Sequence, residues 1–251
     1  MLVTRPAHQA EPLCALIERA GGRAIRFPAL AIEPTPNPLA AQALIARLAT
    51  YNLALFVSPN AVQYGLDLIA AAGGLPAGLK LAVVGEGSAR ALQARLGRGP
   101  DLQPVERYES EGLLALLELQ SMDGKRVIIF RGNGGRGLFG QTLRERGAEV
   151  DYAEVYQRSL PQADANALAA RLARREIGIV TVTSSEVLRN LLQLAGAANA
   201  AQLKALPLVT LSERTAALAA ELGFVAPVLL ASPASDAGIM AALYRWIENH
   251  P

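Results

Sequence analysis

The stretch LFVS at residues 55–58 has a counterpart in TVTS at residues 181–184, 126 residues further along the chain. Each is a short apolar or β-branched run that ends in a serine where a helical pattern begins, and this is typical of a strand followed by a capped helix. Nearly the same offset aligns Ser88-Ala89 with Thr215-Ala216. Self-similarity at so long a period predicts two similar domains rather than a solenoid of short repeats.

Short apolar runs alternate with helical patterns along almost the whole chain. Arg126 to Phe130, for example, reads as a strand and Leu138 to Arg146 as the helix after it. Such alternation is typical of a parallel sheet covered by helices. The sequence therefore predicts an α/β fold.

Two segments break this alternation. Residues 27–38 contain four prolines, which favour an extended connector, and the run from Ala148 to Pro161 is too long for one strand. Five strands are predicted between these connectors, at residues 53–57, 80–84, 102–105, 126–130 and 148–156. Two amino-terminal strands and three carboxyl-terminal strands supply another five.

These counts predict two flavodoxin-like (Rossmann-like) parallel-sheet domains joined by two antiparallel crossings of the chain. The first domain is discontinuous and comprises residues 1–33 and 161–251, whereas residues 38–151 form an inserted domain. Residues 34–37 and 152–160 would form the two crossings. A double hinge would leave a cleft between the domains, and binding sites favour such clefts and the carboxyl ends of parallel strands.

The composition excludes several classes of protein. A chain of 251 residues with 51% hydrophobic residues is not disordered, and it has no run of 18 apolar residues that would span a membrane. No secretory signal is apparent, so the cytoplasm is the expected location. One cysteine, Cys14, excludes intrachain disulfides, and two histidines, His8 and His250, argue against a zinc site or a histidine triad.

The charge balance argues against a further class, the nucleic-acid-binding proteins. A net charge of +2 is too small to predict binding to nucleic acid. Only three of the 24 basic residues are lysines. An arginine excess of this kind is explained by a GC-rich genome, or alternatively by recognition of carboxylates or phosphates through guanidinium groups.

The sequence GNGGRG at residues 132–137 matches the G-x-G-x-x-G motif after a predicted strand and before a predicted helix. In a dinucleotide fold such glycines let backbone amides approach a pyrophosphate. This makes an NAD(P)-dependent oxidoreductase one alternative. However, the motif opens the last unit of the inserted domain, whereas the dinucleotide motif normally opens the first. The other interpretation is a glycine-rich loop in which Arg131 and Arg136 meet an anion.

Two strand-to-helix turns carry hydroxyl groups, at Ser58-Pro59-Asn60 and Thr183-Ser184-Ser185. Helix capping explains these residues in any protein. Alternatively, the hydroxyls and amides at these helix starts form anion sites, as the turns at Ser88 and Thr215 also could. Tyr156, in the second connector, either covers the hinge or donates a proton to a ligand in the cleft. A hinged small-molecule binding protein is therefore a second alternative.

Taken together, the order and spacing of these motifs resemble the uroporphyrinogen-III synthase family over nearly the whole chain. The motifs that carry the resemblance are VTRP at 3–6, FVSPNAV at 56–62, VVGEGSA at 83–89, SEGLL at 110–114, RG at 131–132, GAEV at 147–150, VY at 155–156 and TSS at 183–185.

The resemblance implies two α/β domains joined by a two-stranded ladder and a reaction without a cofactor. Linear hydroxymethylbilane loses water to give an azafulvene, and the substituted carbon of the terminal pyrrole attacks it to form a spiro intermediate. This intermediate fragments and recloses with that ring inverted, which gives uroporphyrinogen III for haem and other tetrapyrroles. The resemblance also implies a monomer without membrane or nucleic-acid partners, to which the preceding enzyme of the pathway could hand the substrate.

The resemblance further suggests roles for individual residues. Tyr156 would assist departure of hydroxide as the catalytic residue, and no metal is implied. Where the family usually has a glycine before the second Thr-Ala helix, this chain has Ser212, so the amides of that turn are a weaker candidate. The candidate substrate-binding residues are Arg5, Ser58, Asn60, Ser88, Arg131, Gly132, Ser184, Ser185 and Thr215.

Overall fold

The computed structural model describes residues 1–104, 110–134 and 137–249, with Ser110 described by its backbone alone. The first half of the chain contains β1 (Leu2–Val3), α1 (Ala7–Arg19), β2 (Ile25–Arg26), β3 (Ala31–Pro34), α2 (Pro38–Ile45), β4 (Leu53–Phe56), α3 (Pro59–Ala71), β5 (Lys80–Val83), α4 (Glu86–Leu96) and α5 (Ser110–Leu114). The second half contains β6 (Arg126–Gly132), α6 (Leu138–Glu145), β7 (Glu149–Ser159), α7 (Ala165–Ala173), β8 (Val180–Val182), α8 (Ser185–Lys204), β9 (Leu208–Thr210), α9 (Glu213–Glu221), β10 (Val228–Leu230) and α10 (Asp236–Glu248).

The contacts divide the chain into two compact units. Unit 1 consists of Met1–Ala31 and Ser159–Pro251, and unit 2 consists of Ile32–Arg158. Strands β3 and β7, which contain most of the two predicted crossings, are hydrogen-bonded neighbours within the sheet of unit 2. Of the residues predicted to connect the domains, 34–37 and 152–158 belong to unit 2.

The sheet of unit 1 has the strand order β10-β9-β8-β1-β2, and its paired strands run parallel. Counted in chain order within the unit, this is the 2-1-3-4-5 order of a flavodoxin-like sheet. Helices α1 and α10 cover one face of the sheet, where Leu13, Cys14, Val209 and Ile239 belong to one buried cluster. The predicted α/β fold with parallel sheets is confirmed.

The sheet of unit 2 has the order β3-β7-β6-β4-β5. The prediction of a strand at residues 102–105 was wrong for its described part, because Leu102 forms only an isolated bridge with Ala82. Residue 105 lies outside the described residues. Pro104 has no amide hydrogen to continue a ladder, and the Asp101 carboxylate accepts a hydrogen bond from the Leu81 amide. The fifth strand of the sheet is β3 instead.

Two stacked phenylalanines fix helix α3 on the sheet of unit 2. The rings of Phe56 and Phe130 lie 4.7 Å apart with an interplanar angle of 11°, and both side chains are fully buried. Gly65 of α3 packs on them so closely that a Cβ atom there would lie 3.0 Å from both rings. The glycine therefore lets α3 approach the sheet, and the start of α3 is held at the carboxyl end of β4.

A polar cluster holds the opposite end of this sheet. The Tyr51 hydroxyl donates a hydrogen bond to the carboxylate of Asp151, which also pairs with Arg47. Burial, and then this hydrogen bond, raise the pKa of Tyr51 to about 12, so the hydroxyl stays protonated as a donor.

None of the helices in the described part of the chain is long and apolar enough to cross a membrane.

Candidate functional site

The candidate site of unit 2 lies where strands β4, β6 and β7 end. Ser58 is the second residue after β4, Arg131 and Gly132 end β6, and Tyr156 lies near the end of β7. Strands β4 and β6 are neighbours in the sheet. From β4 the chain continues to β5 on one side of this pair, and from β6 it continues to β7 on the other side. Ligands of open parallel sheets bind at such a reversal of strand order.

A β-bulge brings Tyr156 to this point. Arg131 pairs with Glu154, but the next residue, Gly132, pairs with Tyr156, so Val155 is an extra residue on β7. A bulge shifts the alternation of side chains by one residue. Val155 and Tyr156 are accordingly buried in succession, and the Tyr156 ring shares a face with its partner, Gly132.

Gly132 makes room for this ring. A Cβ atom at residue 132 would lie 2.5 Å from Cε2 and 2.6 Å from Cζ of Tyr156, and both distances are too short for a non-bonded contact between carbon atoms. The close approach of the tyrosine therefore explains the first glycine of the G-x-G-x-x-G motif without a nucleotide. Gly135 and Arg136 of that motif lie outside the described residues.

Ser58 holds the hydroxyl of Tyr156. The two oxygens lie 3.1 Å apart, and Ser58 Oγ also accepts a hydrogen bond of 3.1 Å from the Ala61 amide as the N-cap of α3. Because Oγ already accepts from the helix, its own hydrogen can point at Tyr156 Oη. In this orientation the tyrosine oxygen accepts the hydrogen bond from Ser58. The side chain of Tyr156 is only 2% exposed.

Tyr156 and Gly132 line a pocket of about 220 Å³. Its polar lining also includes Arg131, Asn133 and Arg158, and its apolar lining is Val57, Val84, Ile129 and Phe139. The backbone amide of Asn133 donates a hydrogen bond of 3.0 Å to the Tyr156 carbonyl. The side-chain oxygen Oδ1 of Asn133 accepts one of 2.7 Å from the backbone amide of Arg158. Asn133 therefore fixes the backbone on both sides of residue 157.

Arg131, on β6, contacts two residues of the neighbouring strand β7. Its guanidinium lies 2.9 Å from Glu154 Oε1 and 4.2 Å above the ring of Tyr152. Its Nε atom is buried and has no hydrogen-bond partner among the described residues. Because Arg131 lines the pocket, its positive charge would favour an anionic group there.

The remaining candidates of unit 2 lie on helix starts. Asn60 is the second residue of α3, and Ser88, which is 3% exposed, is the third residue of α4. Neither belongs to the lining of the pocket around Tyr156. Helix α4 begins after Gly85, which has no side chain to cap its amides. The backbone amides of its first turn could thus donate hydrogen bonds to a carboxylate of a ligand.

Unit 1 repeats the serine turn. Ser184 caps α8 through a 3.2 Å bond from the Val187 amide, and its backbone angles (φ −158°, ψ 162°) match those of Ser58 (φ −160°, ψ 163°). Ser185 Oγ lies 3.3 Å from the buried hydroxyl of Thr215. Thr215 also contacts Ser212, the N-cap of α9, with 2.9 Å between their oxygens. The structure thus joins the hydroxyls of Ser185, Thr215 and Ser212 in a hydrogen-bonded group, whereas the Ser184 hydroxyl caps its helix.

Arg5 already has a protein partner. Its guanidinium forms an ion pair with Asp236, the first residue of α10, and its buried Nε has no partner among the described residues. An acidic residue at a helix start is favourable, and the arginine neutralises it. The structure therefore gives Arg5 a role in holding the start of α10.

Sequence reasoning missed several residues around Tyr156. Tyr64 stacks on the Tyr156 ring, Tyr152 lies beneath Arg131, and Asn133 and Arg158 line the pocket. Asn133 stood inside the quoted glycine motif, so its position near the site could have been found. Tyr64 lies in an ordinary helical pattern, and nothing in the sequence marks it as a neighbour of Tyr156.

Comparisons with known proteins agree over nearly the whole chain. The family model described as uroporphyrinogen-III synthase HemD matches residues 11–239. The chain is 35% identical over 245 residues to uroporphyrinogen-III synthase of Escherichia coli K12, with 97% of this chain and 99% of that protein covered. It is 32% identical over 199 residues to a putative uroporphyrinogen-III synthase of Methanothermobacter thermautotrophicus, with 78% of each covered.

Two crystal structures share the fold at low sequence identity. A mutant uroporphyrinogen III synthase of the extremely thermophilic bacterium Thermus thermophilus aligns with a TM-score of 0.64, 20% identity and 99% coverage of both chains. Uroporphyrinogen-III synthetase of Helicobacter pylori 26695 aligns with a TM-score of 0.59, 15% identity and 98% coverage of both. The family match over residues 11–239 and the relatives at 35% and 32% identity show that the chain belongs to the uroporphyrinogen-III synthase family.

Proposed function

We propose that this protein is a uroporphyrinogen-III synthase that cyclises hydroxymethylbilane with loss of water and inversion of the terminal pyrrole ring. The observation that carries the proposal is the family match along residues 11–239. The hydroxyl pair of Ser58 and Tyr156, beside a pocket that contains arginines, supports it chemically. The enzyme thus belongs to the cyclising hydro-lyases of haem and tetrapyrrole biosynthesis.

In the first step, we propose that Tyr156 acts as the proton donor. A pyrrole nitrogen donates its electron pair as the bond from carbon to the hydroxyl breaks, and the proton of Tyr156 Oη moves to the leaving oxygen to form water. Ser58 then donates a hydrogen bond to the phenolate oxygen, from which it lies 3.1 Å away. The products of this step are water, the azafulvenium cation, which keeps the proton on its pyrrole nitrogen, and a tyrosinate.

The rearrangement needs positioning more than further catalysis by side chains. The substituted carbon of the terminal pyrrole attacks the azafulvenium carbon, and the resulting spiro intermediate fragments and recloses with the ring inverted. The pyrrole that regains its aromaticity releases a proton, and the tyrosinate recovers it. Because the pyrroles supply every electron pair, the proposed mechanism requires no cofactor.

We propose that the carboxylates of the substrate meet arginines and helix starts. Arg131 lines the pocket with a positive charge, and α4 begins without a side-chain cap, so both can attract an anion. In unit 1, the hydroxyls of Ser184, Ser185 and Thr215 are the corresponding candidates. Asn60 and Ser88 belong to the same proposal through their positions in the first turns of α3 and α4.

The chain passes twice between the units, near Ala31 and near Arg158. We propose that these two crossings, which adjoin the paired strands β3 and β7, act as the hinge of the enzyme. The resemblance of the motifs further leads us to propose a cytoplasmic monomer that receives hydroxymethylbilane from the preceding enzyme of its pathway.

The test of the function is the isomer ratio of the product. Freshly made hydroxymethylbilane is incubated with the protein, and the oxidised uroporphyrins are separated by chromatography. We expect isomer III in excess over isomer I, which forms spontaneously. A ratio equal to that of the protein-free reaction would contradict the proposal. A binding protein would return the bilane unchanged, and an oxidoreductase would bind a reduced nicotinamide, which titration of Trp246 fluorescence detects.

The role of Tyr156 is tested by Tyr156→Phe. We expect kcat to fall by about tenfold, less than the roughly 10²–10⁴-fold usual for general acids, because the pyrrole nitrogen already helps to expel the hydroxide. The melting temperature should hardly change, since the ring and its contacts remain. Tyr244→Phe, at a residue that is 52% exposed in unit 1, is the matched control. If both variants retain full activity, the Tyr156 hydroxyl is not the proton donor.

A further inference from the structure

We infer that Tyr64 is a positioning residue for the reaction, one that acts by holding the ring of Tyr156 in place. This inference rests on the proposed role of Tyr156 as proton donor. The ring centroids of Tyr64 and Tyr156 lie 5.9 Å apart with an interplanar angle of 28°. This is a stacked arrangement in which one ring limits the tilt of the other.

Tyr64 is itself fixed at its far end. Its hydroxyl donates a hydrogen bond of 3.1 Å to the carbonyl of Ile32, a buried residue of β3. Burial, followed by the charges of Asp67 and Glu33, raises the pKa of Tyr64, so the hydroxyl remains a donor at the pH of the assay. The Tyr64 ring is thus held both by its helix and by the neighbouring strand.

Helix α3 contacts Tyr156 at two separate points. Ser58, its N-cap, lies beside the tyrosine hydroxyl, and Tyr64, six residues later, covers the ring. The fit of Gly65 against Phe56 and Phe130 holds the helix itself. A shift of about 1 Å in a reacting group can lower the rate by about two orders of magnitude. By restraining the position of Tyr156, the stacked ring of Tyr64 therefore affects kcat.

A positioning role differs from a structural one in its dependence on Tyr156. Tyr64 is not fully buried, so truncating it should disturb the core less than truncating a fully buried side chain would. Without the stacked ring, Tyr156 gains freedom to tilt away from Ser58. The loss of activity should therefore require that Tyr156 still has a hydroxyl to misplace.

The experiment is a double-mutant cycle on kcat and KM with Tyr64→Leu, Tyr156→Phe and the double variant. We expect Tyr64→Leu to lower kcat by about fivefold to tenfold with KM within about twofold of the unmodified enzyme. In the Tyr156→Phe background, the same substitution should change kcat by less than about twofold. Tyr64→Phe keeps the stacked ring and should retain most of the activity. Tyr64→Met replaces the leucine variant if that one does not fold.

The outcomes separate this inference from the proposed function. If Tyr156→Phe lowers kcat but Tyr64→Leu lowers it equally in both backgrounds, the positioning role is overturned and the proton donor stands. If Tyr64→Leu leaves kcat unchanged while Tyr156→Phe lowers it, the positioning role is likewise overturned. If Tyr156→Phe leaves kcat unchanged, the proton-donor proposal fails and the inference about Tyr64 fails with it.

Discussion

Gly132→Ala is expected to lower kcat by about 100-fold, because the added methyl group and the ring of Tyr156 cannot occupy the same space. The Cβ atom would lie 2.5 Å from Cε2 of that ring. The ring has little freedom to retreat, since Tyr64 covers it and Ser58 holds its hydroxyl. Moving it would displace the proton donor and narrow the pocket, so the effect should exceed that of removing the hydroxyl alone.

The same substitution should destabilise the fold by about 1–3 kcal/mol, the usual cost of overpacking a buried site. Gly137→Ala is the matched control, because Gly137 has ordinary backbone angles (φ −76°, ψ −1°) and open space where its Cβ would lie. Steady-state kinetics and urea unfolding of both variants measure the two effects. Equal activity in the two variants would mean that Tyr156 does not have to occupy its present position for catalysis.

The sequence was sufficient to predict features that depend on neighbouring residues. The apolar run of β6 and the repeated serine turns at Ser58 and Ser184 are local patterns, and the structure contains the predicted strand and both caps. The α/β class follows from such patterns. Tyr156 itself stood out by its place in a motif rather than by any signal of its chemistry.

Other features depend on pairing between distant segments and could not be predicted locally. The bulge at Val155 arises from the register of β7 against β6, and it alone turns Tyr156 toward Gly132. The sheet of unit 2 takes β3 as its fifth strand rather than residues 102–105, because β3 pairs with a strand more than a hundred residues away. Tyr64 reaches the site only through the packing of α3, which no local pattern encodes.

Phe130→Ala is expected to cost about 3–5 kcal/mol of unfolding free energy. The side chain is fully buried, stacks on Phe56 at 4.7 Å and lies 3.0 Å from the position that a Cβ atom of Gly65 would take. Its loss leaves a cavity between the sheet and α3 that glycine cannot fill. Leu117→Ala is the control, because Leu117 is 87% exposed and its truncation should change stability by less than about 0.5 kcal/mol.

Urea unfolding can assign this loss to one unit. The single tryptophan, Trp246, lies on α10 of unit 1, so its fluorescence reports on unit 1, whereas far-ultraviolet circular dichroism reports on the helices of both units. In the Phe130→Ala variant, part of the dichroism should be lost at lower urea than the fluorescence change. Two transitions that both move and still coincide would mean that the units unfold as one cooperative structure. A loss below about 1 kcal/mol would instead mean that the core around α3 closes over the missing ring.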